Sequence, residues 1–262
     1  MSNYQHWLIA EDSHVATLTL HRPQANNSLT PETLSELRLI TAGLGARDDV
    51  WAIIVEGSGD HFSAGVDIGI IQSLLDQPEN AAREQLREMQ LALDEFEAIQ
   101  IPTLARLQGF CIGGGLLLAL CCDFRIASQR TIFALPEVKL GLAVIMGTQR
   151  ISRAVGMAAA KELILLGDRF TAQTAQALGL VHKVVPPNQL DAAVASLADR
   201  FRRLPPRTVG VAKRILNEGY QLPLRDSEDL EIDAQARLLH SQDWREAIES
   251  YRAKREPHFT GR

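Results

Sequence analysis

The 262-residue sequence lacks an excess of positive charge, since 27 Lys and Arg residues against 32 Asp and Glu give a formal net charge of −5. A nucleic-acid-binding surface needs clustered basic residues, so no nucleic-acid partner is expected. Long apolar runs are also missing: the longest, residues 116–122, is far short of the ~20 residues that span a bilayer. The N-terminus has no basic segment followed by an apolar one, so neither membrane insertion nor a secretory signal is expected.

Cysteine is scarce, with only Cys111, Cys121 and Cys122 in the whole sequence. Their number is odd, they lie in apolar surroundings, and none forms a C-x-x-C pair. A disulfide framework or a zinc site would need paired spacings of that kind. The sequence therefore predicts a reduced, cytoplasmic protein in which these residues belong to the core.

Several motifs of common enzyme classes are missing too. The sequence contains no G-x-x-x-x-G-K-[ST] phosphate loop, no G-x-G-x-x-G that opens a βαβ unit and no G-x-S-x-G elbow. Its seven histidines are scattered, without an H-x-x-x-H pair, so no metal site is predicted. These absences argue against ATP chemistry, hydride transfer, serine hydrolysis and zinc hydrolysis.

What is present is an alternation of strand-like and helix-like segments up to about residue 147, which predicts an α/β core with crossover connections. The expected strands of this part are residues 7–10, 15–20, 50–57, 103–109 and 123–128. Helices are expected after Pro31, at 68–75, at 80–99 and after the glycine run. Later segments with a helical pattern are residues 150–167, 171–180, 188–204, 207–220 and 226–240, and one strand is expected at 180–185. We divide the chain into an α/β core, residues 1–200, and a helical region, residues 201–262.

Two glycine-bearing loops carry the first functional signal. "FSAGVD", residues 62–67, and "GFCIGGG", residues 109–115, each follow a buried strand and precede a helix. Helix-start N–H groups have no partner inside the helix, so two of them facing one point could hold a developing oxyanion. Close packing of a helix on a sheet also favours glycine. Composition alone leaves both interpretations open.

A set of segments in fixed order resembles the crotonase superfamily, the enoyl-CoA hydratases and isomerases. The resemblance runs from about residue 15 to the C-terminus. The segments are "HRPQANNSLT", "FSAGVDI", "GFCIGGG", "ALCCDFRIAS", "FALPEVKLGL", "GTQRISRAVG", "LGDRFTAQTAQALGLVHKVV" and "KREPHF". The resemblance implies a crotonase-like spiral of ββα units with a C-terminal helical trimerisation region. It also implies a homotrimer or a dimer of trimers that binds an acyl-CoA.

The resemblance assigns the site residues. The backbone N–H groups of Val66 and Gly114 correspond to the family's oxyanion hole for the thioester carbonyl. Family hydratases carry one glutamate two residues after the triple glycine and a second in a "PE" dipeptide. Here the first position is Leu117, and the second is retained as Glu137. No cofactor is implied beyond the coenzyme A of the substrate.

The missing carboxylate bears on the reaction. Adding water across a 2-enoyl thioester uses a base and an acid, whereas moving a double bond from position 3 to position 2 needs one carboxylate to carry a proton. Glu137 alone therefore favours the isomerase. An enoyl-CoA hydratase, another lyase or decarboxylase of this superfamily, and a non-catalytic acyl-CoA binder stay as alternatives.

The resemblance also implies a substrate pocket. Its expected lining comprises Ala64, Leu117, Leu142, Val144, Ile145 and Met146. Because the last four replace a Pro- and Gly-rich loop of family hydratases, we expect a dry pocket that raises the pKa of Glu137 by desolvation.

For coenzyme A itself, the resemblance implies contacts with Ala64 and with Lys213 in "VGVAKRIL". A lysine that family members often place after the first glycine loop is Gly69 here. The mode of binding the CoA phosphates is therefore open. The plain alternative for Lys213 is a solvated basic helix face.

Other polar residues near these loops are given structural roles. Asp67 and Asp123 are expected to cap turns or to pair with Arg125 and Arg150. His61 is expected in a surface turn. Ser63 has no visible base partner and is likewise expected to be structural.

Overall fold

The structure, a computed structural model, describes residues 4–262. Within these residues the β-strands are β1 (Trp7–Asp12), β2 (Val15–Leu20), β3 (Ala52–Gly57), β4 (Thr103–Leu107), β5 (Phe110–Ile112), β6 (Phe124–Ser128), β7 (Ile132–Ala134), β8 (Phe170–Thr171) and β9 (Lys183–Val185). The helices are α1 (Pro31–Gly45), α2 (Ile68–Leu75), α3 (Glu79–Ala98), α4 (Gly114–Leu120), α5 (Thr148–Leu166), α6 (Ala172–Ala177), α7 (Leu190–Phe201), α8 (Pro206–Gly219), α9 (Leu224–Leu238) and α10 (Gln242–Ala253). Short 3₁₀ turns lie at Pro23–Ala25, Pro136–Leu140 and Pro187–Gln189.

Two sheets organise the core. The larger has the strand order β1-β2-β3-β4-β6-β9 and is parallel except for the β1–β2 hairpin. The smaller has the order β5-β7-β8. Of the consecutive strand pairs β4–β5 and β6–β7, each gives its first strand to the large sheet and its second to the small one. Successive strand pairs that wind between two sheets form the predicted spiral of ββα units.

Side-chain alternation explains why the large sheet is covered on both faces. Ile53 and Val55 of β3 belong to the main core, with apolar side chains of α1 and α3, while Ala52 packs with Phe201 of α7 on the opposite face. Successive residues of a strand point to opposite faces, so a strand buried on both sides is almost continuously apolar. Each fully buried Leu, Ile or Phe side chain stabilises such a core by ~1.5–3 kcal/mol.

The start of α1 follows its sequence signals. Thr30 is the N-cap, its hydroxyl accepts a hydrogen bond from the Thr33 N–H at 3.3 Å, and Pro31 occupies the first turn. The Thr33 hydroxyl in turn accepts the Thr30 N–H at 2.8 Å. These bonds satisfy donors that the first helical turn leaves free, so this predicted helix start is confirmed.

Helices α8, α9 and α10 make up the C-terminal region. The first two were predicted, but α10 was not. Its apolar residues Trp244, Ala247, Ile248 and Tyr251 recur at helical spacing, but Trp244 and Tyr251 are exposed, and its buried residues are the polar Asp243 and Ser250. It is held by its polar groups, since the Asp243 carboxylate accepts the N–H groups of Thr260 and Gly261 at 2.7 and 2.9 Å. Among residues 4–262, no helix is long and apolar enough to cross a bilayer.

Candidate active site

A cavity of about 440 Å³ lies where both glycine loops meet the 3₁₀ turn Pro136–Leu140. The spiral topology brings these segments together, since each follows a strand of one of the two sheets. The cavity is lined by most of the residues that the sequence nominated, namely Ala64, Val66, Gly114, Leu117, Glu137, Leu142, Ile145 and Met146.

The N–H groups of Val66 and Gly114 lie close together at one end of the cavity. A Cβ atom built on Gly114 would be 3.3 Å from the Val66 nitrogen, and one built on Gly65 would be 3.4 Å from the Gly114 nitrogen. Across the part of the chain that the structure describes, neither N–H donates to a protein acceptor. Gly114 is the first residue of α4, so its N–H has no partner within the helix. Two free donors therefore face the same space.

The loop before α2 is fixed by its neighbours. The N–H of Leu29 donates to the Gly65 carbonyl at 2.7 Å, and the N–H of Asp67 donates to the Leu29 carbonyl at 2.9 Å. The Asp67 carboxylate caps α2 by accepting the Gly69 N–H at 3.0 Å. These bonds leave the intervening Val66 N–H directed away from the Leu29 backbone and fix its position.

The glycine run serves both packing and access, so the two interpretations left open by composition apply to different residues. A Cβ on Gly115 would lie 2.7 Å from the Cβ of Ser63, so only glycine allows α4 to pack this closely against the Ser63 loop. Gly113 has φ = +50°, and a Cβ there would lie 2.7 Å from Oε1 of Glu137. The absence of a side chain at Gly113 is therefore what leaves room for the Glu137 carboxylate beside the start of α4.

Glu137 is the acid of the cavity wall. Its Oε2 is buried and has no hydrogen-bond partner among the described residues. Burial raises the pKa of Glu137 from its ordinary value, opposed in part by a backbone hydrogen bond within the residue. The direction agrees with the prediction from sequence. A carboxylate without a partner can take up and release a proton without first breaking an ion pair.

Leu117 faces the cavity from α4 where family hydratases carry a glutamate. It is only 2% exposed. Its Cδ2 approaches Gly147 so closely that no Cβ would fit there. The part of the cavity wall at Leu117 is therefore apolar and closely packed.

Two nominated residues lie elsewhere. Val144, predicted to line the pocket, is 2% exposed, belongs to the main core and is not among the described lining residues. Its side chain points away from the cavity, whereas its neighbours Ala143 and Ile145 line the cavity.

Lys213, which the sequence assigned to coenzyme A, also lies away from this cavity. Its Nζ is buried, 2.8 Å from the Asp123 carboxylate, and donates to the Ile101 carbonyl at 3.1 Å. It borders a different cavity, behind α4, and lies outside the wall of the cavity beside Glu137. A lysine held in this way joins α8 to the core and is not free to bind a phosphate.

The expected partners of the two aspartates also need correction. Asp67 accepts from the Ser28 hydroxyl at 2.9 Å and lies 3.4 Å from the guanidinium of Arg22. Arg125 donates to backbone carbonyls, such as that of Leu180 at 2.6 Å. Arg150 pairs with carboxylates of α3. The structural role predicted for both aspartates holds, but with other partners.

His61 and Ser63 also have structural surroundings. His61 stacks on Phe110 with ring centroids 4.2 Å apart, and its Nδ1 accepts the Phe110 N–H at 3.2 Å. The hydroxyl of Ser63, fully buried, accepts the Gly65 N–H at 3.2 Å.

Sequence reasoning missed one wall of the cavity. Apolar side chains of α2, α3 and the 3₁₀ turn complete the lining, and these are Ile68, Ile71, Leu74, Leu75, Leu86, Met89 and Leu140. The signal was in the sequence "IGIIQSLL" of α2, which is strongly apolar although none of its residues is buried in the core. An apolar helix outside the core favours a role in binding an apolar ligand.

Comparison with known proteins shows which family this chain resembles. A sequence model of the family described as enoyl-CoA hydratase/isomerase matches residues 10–262. The crotonyl-CoA hydratase of Syntrophomonas wolfei is 35% identical over 98% of both chains. The peroxisomal Δ(3,5)-Δ(2,4)-dienoyl-CoA isomerase of Arabidopsis thaliana is 32% identical over 95% of this chain and 93% of its own. The crystal structure of an enoyl-CoA hydratase from Bacillus anthracis superposes with a TM-score of 0.92 at 30% identity, covering 98% of this chain and 100% of that one.

Proposed function

The chain belongs to the enoyl-CoA hydratase/isomerase family of the crotonase superfamily, and we propose that it converts a 3-enoyl-CoA into the 2-enoyl-CoA. The observation that carries this proposal is the composition of the cavity wall. Among the described residues that line it, Glu137 is the one carboxylate, and Leu117 stands two residues after the triple glycine, at the position of the first family glutamate.

The proposed first step is proton removal from C2 of the substrate. The thioester carbonyl oxygen accepts hydrogen bonds from the N–H groups of Val66 and Gly114, which have no other acceptor among residues 4–262. The Glu137 carboxylate takes the C2 proton, and the electron pair of the broken C–H bond enters the dienolate. Negative charge then develops on the oxygen beside the two donors. Loss of one such donor typically slows an enzyme by a factor on the order of 10²–10³.

The second step returns the proton at C4. Protonated Glu137 donates to C4 of the dienolate, the C3–C4 double bond becomes a C2–C3 double bond, and the carboxylate is regenerated. No water enters the product. The raised pKa of Glu137 suits a group that must be a base in one step and an acid in the next.

Hydration of a 2-enoyl-CoA is the second candidate. The names of several relatives support it, among them the Syntrophomonas wolfei and Bacillus anthracis proteins. The wall around Glu137 argues for the isomerase instead, because Leu117 cannot orient a water molecule or exchange a proton with one.

Substrate binding and assembly are parts of the same proposal. Ala64 lines the cavity, and its N–H already donates to the Asn26 carbonyl at 2.9 Å. Its carbonyl oxygen is thus the group that we assign to coenzyme A. A homotrimer or a dimer of trimers is supported by exposed apolar side chains of α8 and α9, such as Leu216 and Ile232. Light scattering of the purified protein tests the assembly.

The test of the reaction supplies the purified protein with a 3-enoyl-CoA and, separately, a 2-enoyl-CoA in ¹⁸O-labelled water. Mass spectrometry of the products is expected to show conversion of the 3-enoyl-CoA without a gain of water mass. Rapid addition of labelled water to the 2-enoyl-CoA, with no double-bond shift, would overturn the proposal. Glu137→Gln separates catalysis from mere acyl-CoA binding, since it should abolish turnover while binding persists.

A further inference from the structure

Met146 has an unusual backbone conformation at the edge of the cavity. It is a non-glycine residue with φ = +64°. Residues with a Cβ rarely adopt this left-handed backbone conformation, and they keep it only where the surrounding structure holds them. The Met146 side chain lines the cavity and packs against the main core. The conformation thus places an apolar group in the space beside Leu117.

Arg150 holds this conformation from α5. Its Nη1 donates to the Met146 carbonyl. The rest of its guanidinium is bound to α3, with Nε and Nη2 donating to Glu97 at 2.9 and 2.6 Å, and Nη2 also to Asp94 at 2.6 Å. Only 15% of the Arg150 side chain is exposed. The guanidinium therefore ties the end of the loop to a helix that itself lines the cavity.

The same loop is hydrogen-bonded at its beginning to the backbone of Glu137. The N–H of Leu142 donates to the backbone carbonyl of Glu137 at 3.0 Å. At its other end, Gly147 lies against the Leu117 side chain, with no room for a Cβ. The segment from residue 141 to residue 147 is thus held at one end by Glu137 and at the other by Leu117, and its residues Leu142, Ala143, Ile145 and Met146 line the cavity.

We infer that Arg150, paired with Asp94 and Glu97, is a positioning residue that keeps Met146 in the cavity and so excludes water from Glu137. By excluding water, this arrangement of Arg150 and Met146 sets the ratio of isomerised to hydrated product. The inference rests on the proposed function for its consequence in turnover, while its structural content concerns the hydration of Glu137 alone.

The hydration of Glu137 can be followed through its pKa, because the charged groups near it are paired elsewhere. On its own turn, Lys139 is exposed and paired with Asp168 at 2.6 Å. The elements packed against the cavity, α2, α3 and α4, contribute apolar side chains to the described lining. No ion pair of the described residues involves Glu137, so opening of the loop would act on its carboxyl through solvation.

The test compares Arg150→Met with wild type and with Arg153→Met. Arg153 lies one turn further along α5, near the Tyr220 ring, and serves as the matched control. Two quantities are measured: the ratio of hydrated to isomerised product in ¹⁸O-labelled water, and the pKa of Glu137. The pKa comes from ¹³C NMR titration of labelled glutamate carboxyls, with the Glu137 signal assigned by its loss in Glu137→Gln. Arg150→Met should raise the hydrated fraction about tenfold and lower the Glu137 pKa, while Arg153→Met changes neither.

A folded Arg150→Met protein in which the Glu137 pKa stays at the wild-type value overturns the inference. If Arg150→Met does not fold, Glu97→Gln supplies the same comparison, because it weakens the hold on the guanidinium and leaves the arginine in place. Wild-type protein that shows no isomerisation refutes the proposed function instead. In that case the NMR titration still decides whether Arg150 keeps the carboxyl dry.

Discussion

Glu137 and Asp123 are half-buried carboxylates in the same core, yet their surroundings are opposite. One oxygen of Asp123 accepts the Thr103 N–H at 2.7 Å and the Thr103 hydroxyl at 3.0 Å, and lies 2.8 Å from Nζ of Lys213. The Oε2 of Glu137 has no partner within residues 4–262. A carboxylate bound by three donors fixes structure, whereas one with an oxygen left without a donor is free to exchange protons there. This difference separates the structural acid from the chemical one.

The strongest test of this contrast is Glu137→Gln. We expect kcat to fall on the order of 10³-fold, because the amide cannot accept the C2 proton. The free energy of unfolding should not fall, since no bond to the Oε2 atom is lost. Steady-state kinetics and urea denaturation measure the two quantities. A variant that keeps its kcat would place the acid–base group elsewhere.

Asp123→Ala should show the opposite pattern. It leaves the Lys213 ammonium buried without its partner, which we expect to cost about 3 kcal/mol of unfolding free energy. Urea denaturation of Asp123→Ala and of the double variant with Lys213→Met checks this, because the second change removes the unpaired charge and should recover part of the loss. Equal stability of wild type and Asp123→Ala would mean that the pair contributes nothing to the fold.

Gly113→Ala sharpens the contrast from the side of the loop. Its Cβ would collide with Oε1 of Glu137, so we expect kcat/KM to fall about 10²-fold as the carboxylate is displaced. The matched control is Gly141→Ala, which has φ = +75° but open space around a Cβ. Gly113→Ala also carries the larger backbone cost, because φ = +50° with ψ = −125° lies outside the left-handed helical region that Gly141 occupies with φ = +75° and ψ = +18°. Comparable losses of activity in the two variants would therefore show that the contact with Glu137 is unimportant.

The smallest expected effect is on pH dependence. Catalysis starts with ionised Glu137, so kcat/KM should fall as the pH is lowered through the raised pKa of this group. A raised pKa in the folded state also means that the protonated form favours folding, and this contribution to stability is lost as pH rises through that pKa. Glu137→Gln should remove that part of the pH dependence of unfolding. An acid limb of kcat/KM at the pKa of an ordinary exposed glutamate would contradict the desolvated site.

Much of this contrast could be predicted from sequence, because it depends on short segments with local signals. The glycine loops and "LPEVKLG" nominated Val66, Gly114 and Glu137, and all three line one cavity. The positions of the two nominated residues that lie away from the cavity depend on distant packing. The burial of Val144 depends on which residue of its loop turns inward, and Lys213 meets Asp123 only because α8 folds back onto the core.

The wall formed by α2 and α3 shows the same limit. The spacing of Leu86 and Met89 predicts an apolar helix face, but not whether that face covers a core or a cavity. Helix α10 is a case in which the signal was present but was missed, since Trp244, Ala247, Ile248 and Tyr251 recur at helical spacing in a mostly polar segment. Local patterns therefore predicted the polar groups of the candidate site better than they predicted the residues packed around it.

The most direct measurement of the central claim follows the proton itself. A 3-enoyl-CoA carrying deuterium at C2 is converted in ordinary water, and the position of the label in the 2-enoyl product is read by NMR. If unpartnered Glu137 carries the proton from C2 to C4 in a pocket closed to water, part of the deuterium is found at C4. A product with no deuterium at C4, or one that has gained the mass of water, would contradict a single carboxylate acting in a dry site.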